Sequence, residues 1–200
     1  VVLRHPDLLR LDLGILVLHL VLTASFVVLP VVLEAQLGIA RERHWLVYVP
    51  VLLLSVAGMA VLIAIGERRR ILHRLLAGVA GLVIIADLLL AGFSDRLAVM
   101  LFALWLFFVG FNTLEASLPS LLTRFAPEGM RGTALGVYST AQFLGAFLGG
   151  TFGGLIYGGA GITGVFVFCA AAAGLWLIVA IGLRAPRPRP DTQGMQAETS

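Results

Sequence analysis

Apolar residues fall in six long blocks, at 11–33, 46–65, 75–93, 97–122, 133–157 and 162–183, separated by short polar or glycine-rich breaks. Each block approaches or exceeds the ~20 residues that carry a helix across the hydrocarbon core of a bilayer. None alternates with the two-residue period of a membrane-spanning strand. The pattern predicts an all-α membrane protein of six transmembrane helices. The breaks are Glu34–His44, Gly66–Arg70, Ser94–Arg96, Arg124–Gly132 and Gly158–Gly161. They are too short to hold a second folded domain, and the three-residue Ser94–Arg96 break makes its flanking helices antiparallel neighbours. Pro6 and Asp7 suit the start of a helix or an interfacial turn in the lead at 1–10. The segment 184–200 opens with prolines at 186, 188 and 190 and is expected to be a flexible cytoplasmic tail.

Composition agrees with the pattern. The chain is 60% hydrophobic and 12% charged, with a mean hydropathy of +1.01, whereas soluble domains are about half apolar and a quarter charged. The single cysteine, Cys169, excludes a disulfide scaffold. His-x-x-x-His and paired cysteines are missing, so no metal or other cofactor is expected. The chain also lacks a Gly-x-Ser-x-Gly elbow, and Ser139 and His19 lie at different depths, so catalytic residues are not expected either.

All fourteen basic residues are arginine. With six alternating spans, eleven of them (4, 10, 68, 69, 70, 74, 124, 131, 184, 187 and 189) fall on one side and three (41, 43 and 96) on the other. This positive-inside bias puts both termini in the cytoplasm. The formal charge of +3 thus belongs to topology, and no nucleic-acid partner is expected. The chain opens on Val1-Val2-Leu3 without an initiator Met, which suggests a fragment.

Glu115 is the sharpest polar feature, near the middle of a 26-residue apolar block. An ionised side chain at that depth costs at least ~2.5–3.5 kcal/mol on insertion scales. Asn112, Glu115 and Pro119 share a helix face by their spacing. A carboxyl held between charged and neutral forms can exchange a proton for a substrate cation; the other reading is a structural acid bonded to Asn112 or to a facing helix. His19 shares a face with Thr23, Phe26 and Pro30, either on a proton path or as a helix–helix hydrogen-bond partner. Tyr138 and Gln142 can contact a ligand or an opposing half. They share a face with Gly145 and Gly149, and Gly145, Gly149 and Gly153 repeat every fourth residue, which lets helices approach closely. That pattern suits a helix that rocks and equally one that is simply packed.

The stretch Phe111-Asn112-Thr113-Leu114-Glu115-Ala116-Ser117-Leu118-Pro119-Ser120-Leu121 leads into Pro127-Glu128-Gly129-Met130-Arg131-Gly132 and then Thr133-Ala134-Leu135-Gly136-Val137-Tyr138-Ser139-Thr140-Ala141-Gln142-Phe143-Leu144-Gly145. This resembles the tenth and eleventh helices of a major facilitator superfamily transporter, closest to the YajR-type group of proton-driven efflux transporters. His5-Pro6-Asp7 and the turn at Gly66, Arg68 and Arg69 fit the same group. The resemblance implies one half of a twelve-helix fold, helices seven to twelve, in a bacterial inner membrane and missing its N-terminal six-helix partner. It implies efflux of small molecules or drugs against protons; on the residue reading above, Glu115 is then the candidate coupling acid, with Asn112, Gln142, Tyr138 and His19 around the cavity. It further implies a cytoplasmic latch in which Arg68, Arg69 and Arg131 pair with acids such as Glu128 or Glu67. Asp87 corresponds to a peripheral helix, so packing or an interhelical partner is expected for it ahead of transport. The alternative is a stand-alone six-helix protein that dimerises or serves as a scaffold.

Overall fold

The computed structural model describes residues 5–182 except Arg70 and Glu128, with residues 72–74 described by backbone alone. The tail at 184–200 and the latch acid Glu128 therefore lie outside the described residues. Five helices account for nearly all the rest: α1 Pro6–Val31, α2 Trp45–Arg68, α3 Leu72–Phe93, α4 Leu97–Phe125 and α5 Arg131–Ala180. All five are long and apolar enough to cross a membrane. Each extends beyond the corresponding apolar block at one end at least, because the backbone keeps bonding to itself where side chains turn polar. Gly66 thereby falls inside α2, and the α2–α3 turn contracts to the residues around Ile71. Pro6 starts α1 at a position whose N–H has no helical partner to lose.

At the far end of α1, Pro30 supplies no N–H to the helix ladder, and a π-helical turn follows at Val32–Gln36. The predicted polar loop beyond it is held from both sides. His44 Nε2 lies 3.0 Å from the Ile39 carbonyl, and Ser94 Oγ donates to Gln36 Oε1 at 3.0 Å. The first bond closes the α1–α2 connection on itself, and the second ties it to the α3–α4 turn, which spans Ser94–Arg96 as the apolar blocks predict. Both connections therefore lie on one side of the bundle.

The largest departure from the hydropathy pattern is at α5. The blocks 133–157 and 162–183 form two helical arms that meet at Gly161 without the predicted four-residue loop. Gly145 lies against Leu16, Gly149 against Leu20 and Thr23, and Gly153 against Ala24, so this arm ascends with α1. Cys169 then contacts Val21 and Ser25, Trp176 contacts Arg10, and Arg10 reaches Gly182, so the second arm descends. The reversal takes place at Gly161, whose φ of 66° and ψ of −164° leave the helical region. Such a φ favours glycine, and a single residue does the work of the predicted four-residue loop.

α1 is the central helix and packs most extensively on α5; α3 bridges α4 and α5, and α2 rests mainly on α4. The closest approach is between α1 and the first arm of α5. A Cβ at Gly145 would fall on the Leu16 carbonyl, one at Gly149 on Thr23 Oγ1 and the Leu20 carbonyl, and one at Gly153 would sit 2.8 Å from the Ala24 Cα. Gly150 and Gly154, on the same arm, face open space. On the second arm the Trp176 indole lies over Gly14 and donates from Nε1 to the Arg10 carbonyl at 3.2 Å. Arg10 in turn donates to Asp7 at 2.9 Å and to the Gly182 carbonyl at 2.7 Å, tying the start of α1 to the end of α5.

Gly149→Leu should lower stability by at least about 1–3 kcal/mol, the usual cost of forcing volume into a packed interface. Gly150→Leu should not lower it. Thermal unfolding of the two variants in one detergent checks the contrast, and equal losses would mean that the α1–α5 contact is not the tight one.

Candidate functional site

Three of the polar residues singled out in the sequence converge from three different elements. His19 comes from α1, Glu115 from α4 and Gln142 from the first arm of α5. Gln142 Nε2 lies 2.9 Å from His19 Nε2 and donates to Glu115 Oε1 at 3.5 Å. His19 Nδ1 lies 3.3 Å from the Ile15 carbonyl and 3.9 Å from Glu115 Oε2. A carbonyl can only accept, so the Ile15 contact puts the ring proton on Nδ1. Nε2 is then free to accept from Gln142, and one amide bridges the imidazole to the carboxylate.

The local chain explains this meeting. On α1, His19 and Thr23 are one turn apart and face α5. Thr23 Oγ1 lies 2.8 Å from the His19 carbonyl and 3.0 Å from the Ala146 carbonyl, within donating distance of both helices. The glycine contacts at 145 and 149 bring the backbones together on either side of it. Gln142, one turn before Ala146, then reaches His19 directly. From the α4 side Phe111 packs its ring 5.7 Å from the imidazole, and Glu115 follows one turn later.

Burial divides the group. The His19 side chain is 13% exposed and that of Glu115 36%. Glu115 Oε2 itself is enclosed without a hydrogen-bond partner among the described residues. Glu115 thus combines an opening with one oxygen held inside. Tyr138, one turn before Gln142, is buried, and its hydroxyl has no partner among the described residues. The carboxyls of Glu115 and Asp12 lie within electrostatic reach of that hydroxyl.

Asp12 is a further acid that the hydropathy pattern does not single out. It is buried near the start of α1 with Oδ1 unpartnered among the described residues. Its signal was present in the spacing, since Asp12 precedes His19 by two helical turns on the same face. A second acid therefore lies about 10 Å along α1 from the His19 level, at 1.5 Å per residue.

Asn112 is held elsewhere. Its Nδ2 donates to Ser55 Oγ on α2 at 2.9 Å, and Ser55 donates to the Leu52 carbonyl at 2.7 Å. It pins α2 to α4 beside the site and makes no hydrogen bond with Glu115. Asp87, fully buried on α3, has neither oxygen hydrogen-bonded among the described residues, and Cys169 lies within its electrostatic reach. Arg68, Arg69 and Arg131 are exposed, and none is in an ion pair among the described residues.

A bundle of long apolar helices around a partly open carboxylate is the architecture of a membrane transporter, and comparison with known proteins gives the family. The model of the Major Facilitator Superfamily matches residues 11–199, and the chain belongs to that family. It is 39% identical over 185 residues to the inner membrane transport protein YajR of Escherichia coli K12, covering 92% of this chain and 40% of that protein. An uncharacterized transporter of Buchnera aphidicola subsp. Acyrthosiphon pisum is 31% identical over 140 residues, covering 70% of this chain and 36% of the relative. A second Buchnera transporter, from the subspecies Baizongia pistaciae, is 25% identical over 181 residues, covering 90% of this chain and 46% of its own length. The chain spans less than half the length of each of these relatives. It is a multi-pass integral membrane protein of a transporter family.

Ser55→Ala should destabilise the α2–α4 contact by about 0.6–1.7 kcal/mol, the range for interhelical hydrogen bonds in membranes. A double-mutant cycle with Asn112→Ala, followed by unfolding in detergent, checks it. Strictly additive losses would mean that the two side chains do not interact.

Proposed function

We propose that this chain is the carboxy-terminal half of a proton-coupled secondary transporter that exports small hydrophobic or cationic compounds from a bacterial cytoplasm. In this reading the reversal at Gly161 makes six crossings from five helices, both termini lie in the cytoplasm, and the membrane is the inner membrane. The relatives are about twice as long as this chain, which supports pairing with a second six-helix half over pairing with another copy. On the first arm of α5, Phe143, Phe147, Gly150 and Gly154 are exposed and available for that half.

The observation that carries the proposal is the Gln142 amide shared between His19 and Glu115. With Glu115 ionised and His19 neutral, the NH₂ group of Gln142 serves both acceptors, and the carboxylate can take a substrate cation from the open side. Proton entry onto the carboxyl discharges it and releases the cation. A half-turn of the amide then presents Oε1, which accepts from the protonated carboxyl or from a protonated His19 Nε2. One side chain thus serves both protonation states without moving a helix. Phe26, which is exposed, and Phe111 offer ring faces suited to apolar or cationic substrates. Tyr138 adds a buried hydroxyl one turn from Gln142, and Asn112 supports α4 through its bond to Ser55. Arg131, with Arg68 or Arg69, forms a cytoplasmic latch closed by acids such as Glu67 and Glu128.

The test is transport by the intact protein in vesicles, using a panel of cationic and neutral compounds with and without a pH gradient. Glu115→Gln should abolish gradient-driven efflux while leaving substrate binding in place. Unchanged proton-coupled efflux in a well-expressed Glu115→Gln protein would remove Glu115 as the carrier.

A further inference from the structure

On the side of the bundle away from the His19 site, α2, α3 and α4 leave an open groove of about 600 Å³. Its walls are Leu54, Val61 and Leu62 of α2, Leu82 of α3, and Trp105 and Val109 of α4, all apolar. The groove exists because α2 and α3 barely touch, while α2 is drawn onto α4 at Gly58, where a Cβ would stand 3.2 Å from Val109 Cγ1 and closer still to Cγ2. From Leu54 to Leu62 it runs about 12 Å along α2, the scale of half a bilayer core.

The α2 wall does not end at Leu62. Residues 54, 58, 61 and 65 recur at three and four and share a face, and Arg68 and Arg69 continue it one turn on. Ile65, Arg68 and Arg69 are all exposed. The stripe therefore runs from an apolar trough to a pair of cations at the helix end, with about 9 Å between Leu62 and Arg68. Arginine binds phosphate through a planar fork of donors. Apolar groove, short gap and paired arginines match the acyl chain, glycerol region and phosphate of a single phospholipid.

We propose that this groove is a binding site for one anionic phospholipid, with an acyl chain lying against Trp105 and its headgroup held by Arg68 and Arg69. The charge of the stripe selects an anionic over a zwitterionic lipid, since each arginine near the membrane surface contributes roughly five-fold to binding of an anionic surface. The site is independent of the transport reading, because it requires neither Glu115 nor proton movement. If Arg68 and Arg69 also serve a latch, bound lipid competes with the acids of that latch for the same donors.

Trp105 makes the test direct. The full chain is reconstituted into phosphatidylcholine vesicles containing a small fraction of lipid brominated in mid-chain, either phosphatidylglycerol or phosphatidylcholine, and tryptophan quenching is read. A Trp105→Phe protein supplies the background from Trp45 and Trp176. Brominated phosphatidylglycerol should quench Trp105 at a mole fraction about 25-fold lower than brominated phosphatidylcholine, five-fold for each arginine. Arg68→Gln with Arg69→Gln, at exposed positions that carry no packing, should bring the two lipids to parity. Ala57→Phe, filling the groove from its rim, should reduce quenching by both. Equal quenching by the two lipids in the unaltered chain would reduce the groove to ordinary boundary lipid and overturn the proposal. A preference that survives loss of both arginines would overturn it as well.

Discussion

Between Gly145 and Gly153 the first arm of α5 has no side chains to hold it off α1, and the two backbones meet. In a bilayer, lipid tails are as apolar as leucine, so helices associate through close contact and interhelical hydrogen bonds. Three glycines a turn apart supply the first, and Thr23 and Gln142 supply the second. The polar site depends on this contact. Gln142 is short for a bridge between helices, and it reaches His19 at 2.9 Å because the glycines one and two turns later have removed the usual separation. A methyl group at Gly145 or Gly149 would wedge the helices apart and carry the amide out of reach.

The same contact relates packing to chemistry. Glu115 arrives from α4, which touches α1 but packs little on α5. The carboxyl consequently lies at a seam between closely fused helices and a more loosely attached one. One of its oxygens is enclosed while the side chain as a whole remains part-exposed. A carboxyl wholly enclosed would be costly to ionise, and one wholly in water would hold its proton no differently from a free acid. The seam provides neither extreme. Asp12 and Tyr138 extend the polar column toward the start of α1, where Arg10, Asp7, Trp176 and Gly182 fasten the first and last segments together.

Much of this was legible in the sequence, because in lipid each crossing must be a long apolar helix. The α3–α4 turn and the glycine face of α5 stand where spacing placed them. Two features were less legible. Hydropathy separates 133–157 from 162–183, but it does not show that one glycine with a positive φ joins the two helical arms in place of a loop. Spacing along one helix also groups Asn112 with Glu115, whereas Asn112 is claimed by Ser55 on α2, and no single-helix pattern contains that partner. Asp12 does not stand out in the sequence because it lies near a span end, where acids are common. Its burial is a property of the packed bundle that no single-helix pattern contains.

The central claim is that the Glu115 carboxyl changes protonation while sharing the Gln142 amide. Infrared difference spectra of the intact protein in membranes, recorded across a pH step, measure this most directly. The account predicts a carboxyl C=O band that is absent in Glu115→Gln and shifted in frequency in Gln142→Leu, where the bridging hydrogen bond is lost. A Glu115 band that is identical with and without Gln142, or no titrating band from Glu115 at all, would contradict it.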